Sequence, residues 1–225
     1  MKRTKRKSAA REPVTRERAL AAAVALADAE GLGGVSMRRL AQELGVEAMS
    51  LYHHVKNKDE ILDGMVDMVF AEVLAPPRAL PWKEALRRRC VSVREVLLRH
   101  RWALGVLESR ASPGPKNLEH HDAVLGCLLG AGFSLALTGH AYATLDAFTY
   151  GFVHTELQLP FETSEETQAL AKELVAKMPP GLFTHLAAFT AGHVLRPGYR
   201  YAREFDFGID LILDGLERAR ERESA

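Results

Sequence analysis

Residues 37–58 decide the fold, and they read MRRLAQELGVEAMSLYHHVKNK. If Met37 opens a helix-turn-helix, apolar or small side chains fall where the two helices must pack together. Those positions hold Leu40, Ala41, Leu44, Val46 and Leu51. Gly45 falls in the turn, where glycine reaches a left-handed backbone without steric cost. The spacing therefore predicts a helix at 37–44, a tight turn and a short second helix at about 48–54.

Helical patterns extend on both sides of this motif. Upstream, apolar residues recur at helical spacing between about residues 15 and 30. Downstream, Asn57 and Glu60 form a variant capping box, which predicts a long helix ending at about Leu74. The candidate N-caps of the first, second and fourth helices are Thr15, Ser36 and Asn57.

Prolines at 76, 77 and 81 interrupt the helical pattern, which then continues to the C-terminus. Leu86, Cys90, Val93 and Leu97 form one helical stripe. Further helices are predicted at about 103–109, 118–131, 135–158, 165–177, 182–191 and 203–222. No segment alternates apolar and polar residues in the way that a half-buried strand requires. The predicted fold class is therefore all-α.

The composition restricts the class of protein. The chain has 225 residues, 47% of them hydrophobic and 26% charged, which is typical of a soluble globular protein. Its two cysteines form no C-x-x-C pair, which excludes a disulfide scaffold and a thiolate zinc site. No apolar run approaches the roughly 18 residues of a membrane span, and no signal peptide is recognisable. We expect a cytoplasmic protein with no membrane partner.

The net charge of +1 conceals an asymmetry. Residues 1–18 carry eight Lys and Arg against two Glu, whereas residues 61–225 carry 18 basic and 21 acidic side chains. A basic N-terminal segment in an otherwise slightly acidic chain predicts that the N-terminal end binds a polyanion. Residues 1–14 are interpreted as a basic flexible arm that contacts phosphates or the minor groove, a solubilising tail being the alternative.

The helix-turn-helix predicts where duplex DNA would bind. A recognition helix places its N-terminal residues against base edges in the major groove, while flanking basic residues contact phosphates. The candidate DNA-binding residues are Arg38, Arg39, Ala48, Met49, Ser50, Tyr52, His53, His54, Lys56 and Lys58. A helical hairpin inside a larger bundle is the alternative interpretation of the same spacing.

Residues 44–47 (LGVE) and 51–58 (LYHHVKNK) resemble the TetR family of one-component transcriptional repressors. The resemblance continues at residues 97–101 (LLRHR), 132–135 (GFSL), 178–180 (MPP) and 207–217 (FGIDLILDGLE). It implies an all-α homodimer with a three-helix DNA-binding domain at residues 15–64 and a ligand-binding and dimerisation domain at residues 65–225. By position, Arg38, Ser50, Tyr52, His54 and Lys58 match DNA-contacting residues of the family.

Candidate effector and dimer residues follow from the resemblance and the helical pattern. The candidate ligand-pocket residues are Arg89, Val93, Trp102, Leu107, Arg110, Leu125, Tyr142, Asp146, Thr149 and Tyr150. The candidate dimer-interface residues are Leu145, Phe148, Phe152, Thr155, Ile209, Ile212 and Leu216. Pattern alone leaves open which face of helix 135–158 lines the pocket, and whether Trp102 is a core anchor or a pocket wall.

The family's tetracycline-responsive members ligate a magnesium–drug complex with a histidine that corresponds to Leu107. Leucine cannot ligate magnesium, so we expect an effector other than tetracycline–magnesium. The segment 119–122 (EHHD) is no metal site, because neighbouring side chains on a helix point about 100° apart. No cofactor or metal is expected, only an unidentified small-molecule effector.

The predicted function is a homodimeric repressor that a small molecule releases from a palindromic operator. Its expected partners are duplex DNA, a second copy of the chain and the effector. One alternative is a non-specific architectural DNA binder. The other, an all-α enzyme, would use the paired carboxylates Asp206/Asp210 and Asp214/Glu217, but no catalytic motif accompanies them.

Overall fold

The computed structural model describes residues 13–109, 113–161, 163–179 and 181–224. These residues form eleven α-helices and no strand, which confirms the predicted all-α class. The helices are α1 (Arg16–Glu30), α2 (Met37–Leu44), α3 (Ala48–Leu51), α4 (Lys58–Ala71), α5 (Trp82–Arg99), α6 (Ala103–Ser109), α7 (Pro115–Gly130), α8 (Leu135–Gln158), α9 (Ser164–Lys177), α10 (Thr184–Phe189) and α11 (Ala202–Ser224). The basic arm lies outside the described residues, apart from its last two positions.

The predicted N-caps define the starts of three helices. Side-chain oxygens of Thr15, Ser36 and Asn57 each accept the backbone N–H three residues further on, at 3.2, 3.2 and 2.8 Å. Each bond satisfies one of the backbone donors that a helix start leaves without a partner. The starts of α1, α2 and α4 are therefore local properties of the sequence.

Three helices are shorter than predicted, among them α4, which ends at Ala71 and not at about Leu74. Helix α3, the predicted recognition helix, ends at Leu51, because His53 and His54 donate to the carbonyls of Ser50 and Leu51, three residues back. Such bonds tighten the chain into turns instead of extending an α-helix. The predicted helix at 182–191 is likewise divided into α10 and a π-helical segment, Thr190–Val194.

The chain forms two compact units. Among the described residues, the first contains 13–73 together with those of 99–120, and the second contains 74–98 and those from 121 to 224. The predicted division at residue 64 coincides with none of the boundaries between these units, which follow residues 73, 98 and 120. The assignment of separate domains to residues 15–64 and 65–225 remains a prediction.

The first unit is built on the packing of α1 against α4. A Cβ at Gly64 of α4 would lie 2.6 Å from both terminal carbons of Leu20, so glycine permits the close approach. Leu40 of α2 and Leu51 of α3 have no exposed surface and complete this core. The helix-turn-helix is therefore held to α1 and α4 by its apolar positions, as its spacing predicts.

The second unit has a core in which α8 packs against α11. Leu145 and Ile209 belong to this core and are 1% and 0% exposed. Their predicted role at a dimer interface is wrong, because side chains without accessible surface cannot contact a second copy. Phe152 and Leu216 are also largely buried in the same core, whereas Phe148, Thr155 and Ile212 keep accessible surface.

Candidate DNA interface and effector site

The turn between α2 and α3 has the geometry that its glycine predicts. Gly45 adopts φ 68° and ψ 34°, the left-handed region that other residues reach at a cost. Its N–H donates to the Gln42 carbonyl at 3.1 Å, and the N–H of Val46 donates to Ala41 at 2.9 Å. These bonds satisfy the last carbonyls of α2 and set the direction in which α3 departs.

Helix α3 is anchored on one side and exposed on the other. Leu51 and Val55 are fully buried, whereas Met49 is 71% exposed. Of the other candidates near α3, the exposed ones are Ser50, Tyr52, His53, Lys56 and Lys58, and the half-buried ones are Ala48 and His54. The predicted reading surface thus lies on the outside of the first unit.

The two arginines of α2 differ in their surroundings. Arg38 is exposed, whereas Arg39 forms a salt bridge of 2.8 Å with Glu30 at the end of α1. This hydrogen bond raises the pKa of Arg39 above its ordinary value. Arg39 must leave Glu30 to reach a base or a phosphate. The sequence motif gives no sign of this bridge, since its partner lies on another helix.

The segment that carries Lys56 and Lys58 is fixed to the start of α4. Glu60 accepts the backbone N–H of Lys56 at 2.8 Å, and its carboxylate lies 3.5 Å from the guanidinium of Arg16. The bond from Lys56 is the largest of the effects that hold the pKa of Glu60 below its ordinary value. The basic residues after α3 are therefore positioned by the backbone and do not depend on a flexible loop.

The other end of α4 is held by a buried histidine. The ring of His100 lies 2.8 Å from Asp28 of α1 and 3.2 Å from Glu72, which follows α4. The indole N–H of Trp102 also donates to Asp28, at 2.7 Å. Trp102 is thus a buried anchor of the first unit. The hydrogen bonds of His100 and Trp102 were not predicted, because their partners are distant in sequence.

In the second unit, a buried ion pair joins α5 to α8. Arg89, 1% exposed, donates to the carboxylate of Asp146 at 2.6 Å. Burial opposes the charge of Arg89, yet Asp146 holds the pKa of this guanidinium above its ordinary value. Each charge of this buried pair is thus compensated by the opposite charge of its partner.

Neutral polar groups surround this pair. Burial raises the pKa of Tyr142 and of Tyr150, and the charge of Asp146 raises both further. Burial lowers the pKa of His121, whose ring contacts the Tyr142 hydroxyl. At neutral pH the phenols and the imidazole are therefore uncharged. The cluster offers hydrogen-bonding groups without a net charge.

Thr138 extends this cluster along α8. It precedes Tyr142 by four residues and Asp146 by eight, so the three side chains share one face of the helix. Its Oγ1 is buried and has no hydrogen-bond partner among the described residues, and the same holds for Asn117 Oδ1 in the first unit. A buried polar atom without a partner indicates a ligand or water that completes its bonding. The i, i+4 spacing could have identified Thr138 from sequence.

The remaining pocket candidates have different surroundings. Val93 and Thr149 are buried in the second unit, where Thr149 donates to the Leu145 carbonyl at 2.7 Å. Leu125 is exposed on α7, Leu107 is half-buried in the first unit, and Arg110 lies outside the described residues. Of these candidates, Thr149 follows Asp146 by three residues on α8 and Val93 follows Arg89 by four on α5, so both adjoin the polar cluster.

The paired carboxylates of α11 are salt-bridge partners of α5. Arg87 contacts Asp206 and Asp210, each at 2.8 Å, and Lys83 contacts Asp214 at 2.6 Å and Glu217 at 2.8 Å. This arrangement accounts for all four carboxylates as links between two helices. Within the described ranges, no group of three or more His, Cys, Asp or Glu could hold a metal ion. None of the helices described there is long and apolar enough to cross a membrane.

The left-handed turn, the exposed α3 and the all-helical second unit define a helix-turn-helix DNA-binding regulator. The chain belongs to the TetR family of transcriptional regulators. Residues 19–65 match the family model "Bacterial regulatory proteins, tetR family", and residues 76–220 match "Tetracyclin repressor-like, C-terminal domain". The predicted family membership is therefore confirmed.

Similar proteins are regulators of transcription. An HTH-type transcriptional regulator of Saccharopolyspora erythraea is 32% identical over 95% of this chain and 89% of its own length. The class A tetracycline repressor of Escherichia coli is 31% identical over 88% of each chain. Apo ActR of Streptomyces coelicolor has a TM-score of 0.77 at 28% identity, covering 95% of this chain and 99% of ActR. ActR has also been crystallised with actinorhodin. As a member of this family, the chain is a regulator and not an enzyme.

Proposed function

We propose that this regulator is a cytoplasmic homodimeric repressor that binds a near-palindromic DNA operator. A small molecule other than the tetracycline–magnesium complex releases it. The observation that carries the proposal is α3 with the residue that follows it: Leu51 is buried, while Met49, Ser50 and Tyr52 are exposed beside a left-handed turn. A helix fixed in this way can enter the major groove without rearrangement of the core.

The DNA contacts divide into two groups. Arg38, Ser50 and Tyr52 stand on the reading surface and are assigned to base edges or the adjacent phosphates. His54, Lys56 and Lys58 follow α3 and are assigned to the phosphate backbone, with Lys58 also at the first turn of α4. Phosphate contacts supply affinity and salt dependence, while base contacts supply the sequence preference.

A second copy of the chain is proposed to cover the outer faces of α8 and α11. On α11, Phe207 is 69% exposed and Leu211 is 57% exposed, four residues apart on one face. On α8, the exposed face carries the small residues Ala143, Ala147 and Gly151. Large apolar side chains next to small ones permit close helix packing across a two-fold interface. These residues replace Leu145 and Ile209 as the proposed dimer contacts.

The proposed effector site is the polar cluster around Arg89 and Asp146. The unpartnered Thr138 Oγ1 supports it, because a ligand that donated a hydrogen bond there would relieve an unsatisfied buried atom. Binding of actinorhodin by ActR supports a ligand site in a regulator of this fold. The position of the magnesium-binding histidine holds Leu107, which argues against tetracycline–magnesium.

Release from DNA requires the effector to prefer a conformation in which α3 cannot reach the groove. Helix α4 is the proposed relay, because it is tied to α1 through Glu60 and His100 and the chain passes from its end into the second unit at residue 74. A coupling free energy of about 1–3 kcal/mol, or a 5–150-fold change in affinity, is sufficient for regulation.

The test of DNA recognition begins with selection of duplexes from a randomised library by the purified full chain. We expect one near-palindromic sequence to be enriched and to bind about 10³-fold or more tightly than unselected DNA. Tyr52→Ala should reduce this ratio, whereas Glu119→Ala on α7 should leave it unchanged. Equal affinity for all duplexes would instead establish non-specific binding.

The effector site is tested with the selected duplex. Compounds, actinorhodin first, are screened for release of the protein from this DNA. Thr138→Val, which replaces one hydroxyl with a methyl group, should weaken the response to a releasing compound while DNA affinity stays the same. An unchanged response in this variant and in Tyr142→Phe would place the effector elsewhere.

A further inference from the structure

The first turn of α3 exposes a large apolar side chain beside the hydroxyl of Ser50. Ala48, Met49 and Ser50 form this turn, and Met49 is the one large apolar residue there, with 71% of its surface accessible. Leu51 fixes the helix from below with no exposed surface of its own. The long, unbranched side chain of Met49 is thus presented outward from an anchored turn.

The side chains that commonly read purines are absent from α3. Guanine is read by arginine or lysine and adenine by asparagine or glutamine, and the AMSL sequence of α3 contains none of these. The arginine assigned to base edges, Arg38, lies on α2 and not on α3, and the neighbouring Arg39 forms a salt bridge of 2.8 Å with Glu30. Methionine can donate no hydrogen bond, so its favourable contact in the major groove is with the apolar group there, the 5-methyl group of thymine.

We propose that Met49 determines operator specificity by contacting a thymine 5-methyl group in each half-site. This inference rests on the proposed sequence-specific DNA binding. Burial of one methyl group against an apolar side chain predicts a change in Kd of about fourfold per contact. The effect is confined to thymines that face Met49, whereas phosphate contacts are indifferent to the base.

The experiment uses the duplex that the full chain enriches from a randomised library. Each thymine is replaced singly by deoxyuridine, which removes the 5-methyl group and keeps base pairing. Dissociation constants are measured by fluorescence anisotropy at one salt concentration. We expect replacement of one or two thymines per half-site to weaken binding about fourfold, and replacement of the others to have little effect.

Variants of the protein assign the effect to Met49. In Met49→Ala, the preference for thymine over deoxyuridine at those positions should fall to about one, whereas Met49→Leu should retain it, because leucine is also apolar. Lys58→Ala is the matched control: it should weaken binding to both duplexes equally. Circular dichroism verifies that each variant is folded, which the exposure of both side chains favours.

The outcomes separate the two proposals. Failure to enrich any sequence would overturn the proposed operator binding and this inference with it. Enrichment of a sequence whose deoxyuridine forms bind equally well would overturn the role of Met49 alone. A thymine preference that persists in Met49→Ala would also overturn it, since another residue would then contact the methyl group.

Discussion

Gly45 illustrates how one backbone angle fixes the reading surface. Its φ of 68° is favourable for glycine and costs other residues about 1–2 kcal/mol. Gly45→Ala should therefore lower the free energy of unfolding by about that amount and weaken DNA binding. Urea denaturation followed by circular dichroism measures the first effect.

Gly33→Ala is the matched control for Gly45, because a Cβ at Gly33 meets nothing within 4 Å and its φ is not in the left-handed region. We expect this variant to retain the stability and DNA affinity of the unmodified chain. Similar losses in both variants would contradict the role assigned to the Gly45 turn.

A second prediction at the residue scale concerns the buried ion pair. Arg89–Asp146 and Arg88–Glu84 both have a shortest N–O distance of 2.6 Å, but only the first pair is buried. Asp146→Asn leaves a buried guanidinium uncompensated and should destabilise the protein by about 3–5 kcal/mol. Glu84→Gln should cost under about 1 kcal/mol, because solvent screens the exposed pair.

Denaturant unfolding of Asp146→Asn and Glu84→Gln measures the difference between the two pairs. A variant that replaces both Arg89 and Asp146 with leucine removes both charges and should be more stable than Asp146→Asn. If Asp146→Asn and Glu84→Gln unfold at the same urea concentration, burial does not determine the strength of the first pair.

Among the helices, α8 and α11 depend on small residues for their contact. A Cβ at Gly208 would lie 2.4 Å from the Phe148 ring, whereas a Cβ at Gly215 on the same helix meets nothing within 4 Å. Gly208→Ala should therefore destabilise the second unit by about 1–3 kcal/mol through overpacking. Thermal unfolding measures the change.

Gly215→Ala should have the opposite effect. Alanine in an open helical position stabilises a helix by about 0.5–1 kcal/mol relative to glycine. Two identical substitutions on one helix then change stability in opposite directions. A loss of stability in both would show that helix geometry, and not the Phe148 contact, determines the response.

Local sequence signals predicted the positions of the helices better than they predicted the contacts between helices. The helix at 135–158 was predicted with the bounds that α8 has, since Ser134 caps it and its apolar pattern is long. The end of α3 was missed, because a few residues do not distinguish an α-helix from successive turns. The core position of Leu145 was missed because apolar periodicity marks a buried face without identifying what covers it.

The same contrast between local patterns and contacts of distant residues applies to the candidate sites. The exposed residues of α3 were predicted because a helix-turn-helix has fixed internal spacing. The ion pair of Arg89 with Asp146 could not be derived, since its partners lie 57 residues apart on different helices. The bridge between Arg39 and Glu30 could not be derived either, because its partners also lie on different helices.

At the scale of the whole molecule, the proposed dimer presents two reading surfaces to one operator. Phe207→Glu combined with Leu211→Glu places charges on the proposed interface and should yield monomers with much weaker operator binding. Leu118→Glu on α7 is the control, since Leu118 is 53% exposed and lies in the first unit.

Sedimentation velocity measures the oligomeric state of both variants, and fluorescence anisotropy measures their affinity for the selected duplex. We expect the Leu118→Glu protein to remain dimeric. A dimeric protein carrying Glu at both 207 and 211 would require a different interface.

The short helix α3 also bears on how such regulators diverge after gene duplication. Leu51 supports the fold, while Met49, two positions earlier, is mostly outside it. A duplicated copy could therefore acquire a new target sequence by exchanging Met49 or Ser50, with little loss of stability. The residue that anchors α3 in the core and the residues proposed to contact bases are therefore different. Selection can change the target sequence while the fold persists.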